Sequence, residues 1–187
     1  MPLPSHYLIP PTPACETDFL AALERSLQAG CRLMQLKGKG MEPPAYAVLA
    51  EKVLSLAHAY GCKVLLTGDP SLVESLGADG LHLDSQALKI ASQRPLPTGY
   101  LVAISGHTLD ALQQGEAIGA DFGVLSPISY TRAHPDIEPI GWARLAEIAA
   151  KVKFPVYALG GVSAADEAEA IKAGAQGIAG NKGYWKF

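Results

Sequence analysis

Short apolar segments alternate with longer amphipathic segments along the chain. Eight segments of four to six residues are rich in Val, Ile, Leu and Tyr and are bounded by Gly, Pro or Asp, which is typical of strands buried on both faces. These predicted strands span residues 7–10, 32–37, 63–67, 80–83, 101–105, 122–126, 156–159 and 177–180. The segments between them carry apolar residues at helical spacing. A regular alternation of strand and helix predicts a parallel sheet.

A glycine-containing pattern recurs where the predicted helices end. The sequence Gly-Ala-Asp or Gly-Ala-Gln begins at Gly77, Gly119 and Gly174, each time directly before a predicted strand, and Gly30 begins a weaker copy. A residue just past a helix end often adopts a positive φ, which costs glycine little because glycine has no Cβ. Each copy therefore predicts a tight turn from a helix into a buried strand.

Eight such units predict an α/β fold, the (β/α)8 TIM barrel, formed by residues 1–187 as a single domain. The alternative is an open sheet of five or six strands, which often has a glycine-rich turn after its first strand. Here the first predicted strand runs into Pro10-Pro11-Thr12-Pro13 instead. The pattern therefore favours the barrel.

The length of the chain predicts that this barrel is compact. Such barrels typically contain about 250 residues, whereas this chain has 187, and only residues 182–187 follow Asn181. That is too short for a full eighth helix. We therefore predict a truncated eighth helix, with Tyr184, Trp185 and Phe187 covering the exposed flank or contacting a partner.

Composition narrows the classes of partner. The chain has 49% apolar and 18% charged residues, with Lys+Arg 15 against Asp+Glu 18 and a formal net charge of -3. Nucleic acid is disfavoured as a partner because phosphate backbones are bound by clustered basic residues. No apolar run approaches the roughly 20 residues that span a bilayer, and the first residues do not resemble an export signal. We expect a cytoplasmic protein that does not associate with membranes.

The cysteines and carboxylates form no recognisable metal-binding pattern. Cys15, Cys31 and Cys62 are odd in number and have no C-x-x-C spacing, so neither a disulfide framework nor a zinc site is indicated. A phosphate-coupled Mg²⁺ needs only one or two carboxylates, which Asp69 and Asp84 could provide. We predict no dedicated metal site.

The second predicted strand places polar side chains inside the barrel. Its two-residue period puts Gln35 and Lys37 on one face and Met34 and Leu36 on the other. The apolar pair should face the helices, which turns Gln35 and Lys37 toward the C-terminal mouth, where barrels of this type carry their chemistry. An inward lysine needs an anionic partner, either a carboxylate such as Asp69 or a ligand phosphate.

A glycine pair follows the seventh predicted strand. Gly160 and Gly161 precede Ser163, which has the character of a helix N-cap with Asp166 three residues later. Backbone N–H groups of such a turn can approach an anion closely. Together with Gly180-Asn181 after the eighth strand, the pair predicts a phosphate site.

Histidines on two loops are candidates for proton transfer. His107 and His134 fall at the functional end of the barrel, where imidazole exchanges protons near neutral pH. The alternative is that both are exposed loop histidines. His82 lies within the fourth predicted strand and is either a site residue or a hydrogen-bonded interior histidine.

With these residues identified, the chain resembles the thiamine phosphate synthase/TenI family over almost its whole length. The elements that carry the resemblance are Gln35-Leu36-Lys37-Gly38-Lys39, Gly77-Ala78-Asp79-Gly80-Leu81-His82-Leu83, Ser105-Gly106-His107-Thr108, Ser126-Pro127-Ile128 with Thr131 and Pro139-Ile140-Gly141, and Ala158-Leu159-Gly160-Gly161-Val162. They occur in the family's order.

The resemblance implies two anion-binding regions and a TIM barrel fold. In synthases of the family, the positions of Gln35, Lys37, Lys39 and Ser105 hold a pyrimidine pyrophosphate. The positions of Thr131, Gly160, Gly161 and Gly180 hold a thiazole phosphate, and two aspartates hold Mg²⁺. Asp69 and Asn181 complete the substrate-binding residues that we predict, and the candidate catalytic residues are His107, His134 and Lys39.

The chain departs from the synthase pattern at several functional positions. The family's Asn-Asp after the third strand is Gly68-Asp69, its second Mg²⁺ aspartate is Ala87, its arginine is Lys37, and its lysine after the Thr loop is His134. Lys lacks the planar fork of Arg, which weakens the grip on a pyrophosphate. The TenI branch resembles thiazole tautomerases that need no Mg²⁺, but their catalytic histidine falls on Pro127.

Another resemblance is to the TenI-like domain fused to Nudix hydrolases, through Gly68-Asp69-Pro70 and Thr131-Arg132-Ala133-His134-Pro135. Our leading hypothesis is a protein of thiamine metabolism that binds a thiazole phosphate and transfers a proton without a cofactor. The alternatives are an active Mg²⁺-dependent synthase and a non-catalytic ligand-binding or partner domain of a Nudix hydrolase. A second copy of the chain and a Nudix hydrolase are the candidate protein partners.

Overall fold

Eight parallel strands close into a barrel in the order in which they follow one another along the chain. The computed structural model describes residues 2–131 and 136–186. The strands are β1 (His6–Leu8), β2 (Leu33–Gln35), β3 (Lys63–Leu66), β4 (Gly80–Leu83), β5 (Leu101–Gly106), β6 (Phe122–Leu125), β7 (Val156–Ala158) and β8 (Gly177–Gly180). The eighth strand pairs with the first, with Tyr7 opposite Ala179. The prediction of a TIM barrel is confirmed.

Helices alternate with the strands along the described chain. They are α1 (Glu16–Gln28), α2 (Pro43–Ala59), α3 (Pro70–Leu76), α4 (Ser85–Ile90), α5 (Leu109–Ala117), α6 (Gly141–Ala149) and α7 (Glu167–Lys172), the last preceded by a 3-10 turn, Ala164–Asp166. No helix in the described ranges combines the length and apolar composition needed to span a membrane.

Alternate apolar residues of the strands other than β4 belong to two separate apolar clusters. The outer cluster joins strands to helices and contains Met34 and Leu36, as the two-residue period predicts. The inner cluster fills the barrel, and its members are Tyr7, Ile9, Leu33, Leu65, Ala103, Phe122, Val124, Tyr157 and Ala179. The rings of Tyr7, Phe122 and Tyr157 meet at its centre, with centroids 5.2 to 5.7 Å apart. The barrel is therefore a packed core.

The recurring glycine turn has the predicted conformation and a further function. Gly77 follows α3 with φ 68°, in the left-handed region. The next acidic residue, Asp79, accepts a hydrogen bond from the N–H of Val64 at 2.9 Å, and Asp121 accepts one from the N–H of Val102 at 2.7 Å. These N–H groups belong to neighbouring strands at the N-terminal end of the barrel. The turn therefore ends a helix and also binds the adjacent strand.

Several observed strands end earlier than the sequence predicts. The second strand ends at Gln35, although the N–H of Leu36 still donates to the carbonyl of Leu65 at 2.9 Å, and the seventh ends at Ala158. Beyond these points the backbone leaves the ladder to form the loops of the mouth. The apolar pattern extends further because Leu36 and Leu159 remain packed against the apolar clusters.

A short turn takes the place of the eighth helix. The N–H groups of Tyr184 and Trp185 donate to the carbonyl of Asn181 at 3.1 and 2.9 Å. Trp185 is 6% exposed and its ring lies 5.1 Å from that of Phe19 on α1, while Tyr184 contacts the ring of His6. The prediction of a truncated eighth helix is confirmed. Phe187 lies outside the described residues.

Truncation of Trp185 tests whether this turn substitutes for a helix. We expect Trp185→Ala to lower the free energy of unfolding by about 3–5 kcal/mol, because it opens a cavity beside α1. Ile90→Ala, at a side chain that is 86% exposed, is the matched control and should change it by less than about 0.5 kcal/mol. Urea unfolding of both variants measures this, and equal effects would contradict the assignment.

Candidate functional site

Polar side chains converge on the mouth, defined here as the C-terminal ends of the strands and the loops that follow them. Gln35 is 3% exposed at the end of β2. Lys37 is exposed beyond it, and within the described chain Lys37 forms no ion pair. Asp69 is therefore not its partner. Partial burial of the Lys37 ammonium and the nearby charge of Lys39 both lower the pKa of Lys37, so an anion at this position would be stabilised by two lysines.

The loop that carries these lysines is held by residues that sequence reasoning did not select. The hydroxyl of Tyr46 donates to the carbonyl of Leu36 at 2.8 Å and accepts from the N–H of Thr67 at 3.0 Å. The N–H of Gly38 donates to Oγ1 of Thr67 at 3.0 Å, and a Cβ at Gly38 would lie 3.0 Å from the Tyr46 ring. Tyr46 and Thr67 therefore position the loop. Tyr46 fitted the helical apolar period, which concealed the use of its hydroxyl.

A buried chain of hydrogen bonds connects the core to the mouth. The hydroxyl of Tyr7 lies 2.9 Å from Nδ1 of His82, and Nε2 of His82 lies 2.7 Å from Oγ of Ser105. Burial, and secondarily the charge of Lys37, lower the pKa of His82 to about 3 against a smaller opposing effect of Asp84. His82 is thus a neutral interior histidine with both nitrogens bonded.

The neutrality of His82 controls the hydroxyl of Ser105. In a neutral imidazole one nitrogen donates and the other accepts. When Tyr7 donates to Nδ1, Nε2–H donates to Oγ of Ser105, and the Ser105 hydroxyl hydrogen is free to donate at the mouth. Burial also raises the pKa of Tyr7 well above its usual value, so its hydroxyl stays protonated and able to donate.

The two carboxylates considered for Mg²⁺ begin helices. Oδ1 of Asp69 accepts from the N–H of Ser71 at 2.9 Å, and Oδ1 of Asp84 accepts from the N–H groups of Gln86 and Ala87 at 3.0 and 2.8 Å. The bond from Ser71 lowers the pKa of Asp69. Helix capping by itself explains an Asp at each of these positions, and capping needs no metal.

The residues present do not fit a two-aspartate magnesium site. The family resemblance puts the second aspartate at the position of Ala87, on α4, and Asp84 accepts hydrogen bonds from two backbone N–H groups. Across residues 2–131 and 136–186 there is no group of three or more metal-ligating side chains. The motif Gly68-Asp69-Pro70 has a structural explanation as well, because Asp69 caps α3 and Pro70 occupies its first turn.

The glycine pair after β7 supports the loop after β6. Gly160 and Gly161 have φ values of 89° and 73°. A Cβ at Gly161 would lie 2.4 Å from the carbonyl oxygens of Ser129 and Tyr130. The N–H of Ser129 donates to the carbonyl of Gly160 at 2.9 Å. Substitution of Gly161 would therefore disturb the loop whether or not a ligand binds.

The same turn presents free backbone donors. Within the described residues, the N–H groups of Gly160, Gly161 and Val162 have no hydrogen-bond acceptor. The N–H of Ser163, in contrast, donates to Asp166 at 2.7 Å in the predicted capping box. Three adjacent donors without acceptors can surround an anion, whereas the helix start itself is occupied by Asp166.

The end of β8 lies beside this turn. The N–H of Ala164 donates to the carbonyl of Lys182 at 3.2 Å, and a Cβ at Gly183 would lie 2.8 Å from that of Ala164. The residues just past β8 therefore contact the start of the 3-10 turn, and a Cβ at Gly180 would lie 3.6 Å from the side chain of Leu159, the residue before the glycine pair. The carbonyl oxygens of Gly180 and Asn181 accept backbone hydrogen bonds.

His107 has a defined orientation at the end of β5. Its Nδ1 lies 2.7 Å from the carbonyl oxygen of Ser126 and 3.4 Å from the Ser126 hydroxyl. A carbonyl only accepts, so Nδ1 carries the proton, and in the neutral ring Nε2 carries the lone pair. His107 is exposed and therefore accessible to a ligand. His134 lies outside the described residues, and Thr131 is half-buried at the edge of that gap.

Comparisons with known proteins agree on one family. The family model described as "Thiamine monophosphate synthase" matches residues 6–183. The chain is 36% identical over 180 residues to "Putative thiamine-phosphate synthase 2" of Aquifex aeolicus, covering 96% of this chain and 97% of that protein. It is 32% identical to "Thiamine-phosphate synthase" of Desulfitobacterium hafniense strain Y51, covering 86% of this chain and 79% of that protein.

The solved structures add similarity of fold. The thiamine phosphate pyrophosphorylase of Pyrococcus furiosus superposes with a TM-score of 0.76 at 22% sequence identity, over 95% of this chain and 85% of that chain. At this identity the superposition supports the barrel architecture alone.

The buried state of His82 predicts how stability depends on pH. In the unfolded chain a histidine has a pKa of about 6.5, whereas in the folded chain burial lowers the pKa of His82 to about 3. Between these values the unfolded state binds more protons, so stability falls as pH falls. From pH 6.5 to 5 we expect the free energy of unfolding to fall with pH in the native chain more steeply than in the His82→Gln variant. The two slopes should differ by roughly 1 kcal/mol per pH unit. Urea titrations measure both slopes, and equal slopes would contradict the neutral assignment.

Proposed function

Because the chain belongs to the thiamine monophosphate synthase family, we propose that its mouth binds a thiazole phosphate and transfers a proton on the thiazole ring without a metal. The observation that carries this proposal is the position of His107. Its imidazole is bonded to the carbonyl of Ser126, directly before Pro127. In the tautomerases that the chain resembles, Pro127 is the position of the catalytic histidine. His107 therefore brings an imidazole to the neighbourhood where that histidine would lie.

The free backbone donors after β7 support the phosphate part of the proposal. The N–H groups of Gly160, Gly161 and Val162 would donate to phosphate oxygens, and Gly180 and Asn181 lie on the adjacent loop. Backbone donors suit an anion because they are rigidly placed and cost no side-chain entropy. Thr131, which has the position of the family's threonine, lies on the loop that the glycine pair supports.

The lysines of the β2 loop support binding of a second anionic group. Lys37 has no carboxylate partner within the described chain, and Lys39 adds charge beside it. The Ser105 hydroxyl, held by His82, is a further donor. A thiazole that carries a carboxylate as well as a phosphate offers the two anionic groups that these regions would bind.

The proposed proton transfer uses the fixed tautomer of His107. Nε2 accepts a proton from one ring position and returns it to another, so no net change in atoms or electrons occurs. The carbonyl of Ser126 keeps Nδ1 protonated and stabilises the imidazolium that forms between the two steps. Calorimetric titration with the carboxylated thiazole phosphate tests binding, and absence of heat at millimolar ligand would contradict it.

Synthesis of thiamine phosphate is a second candidate, favoured by the names of the relatives at 32% to 36% identity. Gln35, Lys37 and Ser105 lie at the mouth, where the family's pyrophosphate contacts are expected. Ala87 argues against this candidate, because it provides no carboxylate at the position of the family's second metal-binding aspartate. A coupling assay with and without Mg²⁺ separates the two functions, since a synthase forms thiamine phosphate only with the metal.

We also propose a cytoplasmic location and, as candidate protein partners, a second copy of the chain and a Nudix hydrolase. A ligand that binds without turnover, together with a Nudix protein that co-purifies from lysate, would favour the non-catalytic alternative.

Neutralisation of Lys37 tests the second anionic subsite. We expect Lys37→Gln to weaken binding of the carboxylated thiazole phosphate three- to tenfold, about the value of one charge contact at an exposed position. Lys52→Gln is the control, because Lys52 lies on α2 and pairs with Glu16 at 2.6 Å. Calorimetry measures both affinities. An unchanged affinity for Lys37→Gln would remove this lysine from the site.

Replacement of His107 separates catalysis from binding. Asn keeps a donor for the carbonyl of Ser126 but has no basic nitrogen, so we expect His107→Asn to lower kcat about 10² to 10⁴-fold while ligand affinity changes less than about threefold. His58→Asn is the control, since His58 pairs with Asp79 at the opposite end of the barrel. Proton exchange of the thiazole followed by NMR in deuterated water gives the rate. Full activity in His107→Asn would exclude His107 as the base.

A further inference from the structure

Two cysteines meet at the end of the barrel opposite the mouth. Cys31 and Cys62 precede the neighbouring strands β2 and β3, whose register places Leu33 opposite Lys63. Their Sγ atoms are 3.8 Å apart. Neither residue belongs to the proposed ligand site. The sequence pattern does not predict this contact, because the whole of α2 separates the two residues along the chain.

Backbone hydrogen bonds hold both cysteines in this arrangement. The N–H of Cys31 donates to the carbonyl of Ser26 at 3.1 Å, and that of Cys62 to the carbonyl of Ala57 at 3.0 Å. The two Sγ atoms are already 3.8 Å apart in this arrangement. An S–S bond is about 2.05 Å long, so side-chain rotation needs to close less than about 2 Å.

The two thiols have unequal environments. Cys31 is half-buried and Cys62 is 1% exposed. The hydrogen bond shared with Cys62, the contact with the Leu33 carbonyl and the nearby charge of Arg32 lower the pKa of Cys31 against the effect of burial. The shared hydrogen bond, burial and the charge of Asp79 raise the pKa of Cys62. A half-buried thiol with a lowered pKa beside a fully buried thiol is the arrangement of an attacking and a resolving cysteine.

We propose that Cys31 and Cys62 form a redox modification site that a low-molecular-weight disulfide converts into an intramolecular disulfide. The Cys31 thiolate attacks one sulfur of the reagent, which releases one thiolate and leaves a mixed disulfide on Cys31. The Cys62 thiol then transfers its proton to the released thiolate and attacks Sγ of Cys31, which releases the second thiolate, and this thiolate takes a proton from solvent. Two protein thiols are oxidised and one reagent disulfide is reduced to two thiols.

Mass spectrometry of the folded chain with oxidised glutathione tests this step. Cys15 is an exposed thiol outside the pair, so a Cys15→Ser variant isolates the pair. We expect this variant to lose two hydrogen atoms without retaining a glutathionyl group, and its digest to contain a peptide pair linked through residues 31 and 62. A product that keeps one glutathionyl group, or both thiols unmodified at millimolar reagent, would overturn the proposal.

Serine variants assign the order of attack. In Cys15→Ser/Cys62→Ser the mixed disulfide on Cys31 should accumulate, because the resolving thiol is missing. In Cys15→Ser/Cys31→Ser the thiol of Cys62 should stay at least tenfold less reactive. Equal reactivity of the two variants would overturn the assigned roles. Circular dichroism verifies that each variant is folded. The first experiment does not depend on these variants, because it leaves both Cys31 and Cys62 unchanged.

Discussion

Burial of the strands on both faces is the constraint on which the rest of this molecule depends. Outward residues such as Met34 pack beneath the helices, and inward residues such as Tyr7, Phe122 and Tyr157 fill the barrel. Unpaired polar groups within such strands would be costly because water does not reach them. The candidate functional groups are therefore concentrated in the loops of the mouth. The glycine pair holds one of these loops at Ser129, and the hydroxyl groups of Tyr46 and Thr67 hold another.

The apolar core and the polar mouth are connected at one place, by the series of buried hydrogen bonds through His82. Tyr7 belongs to the aromatic centre of the barrel, yet its hydroxyl reaches His82, which in turn reaches Ser105. Because burial keeps His82 neutral, these hydrogen bonds orient the Ser105 hydroxyl but bring no charge to the mouth. A substitution of Tyr7 in the core would therefore alter the Ser105 donor at the candidate site.

The opposite end of the barrel serves stability. Asp79 and Asp121 bind N–H groups of adjacent strands where the chain enters the sheet. The pair of Cys31 and Cys62 lies at the same end, so its oxidation would link the starts of β2 and β3 without entering the mouth. The two ends carry different groups because parallel strands place all their C-termini together.

The sequence by itself determined the architecture and the position of the candidate site. Its alternating apolar segments and glycine turns specify eight strand–helix units, and the two-residue period of β2 correctly separates Gln35 from Met34, because burial acts on each residue through its immediate neighbours along the chain. Only the tertiary structure decided which distant groups meet. Tyr46 with Thr67, His107 with Ser126 and Cys31 with Cys62 are joined by the closure of the barrel, and hydrogen bonds depend on positions in space that no local pattern encodes.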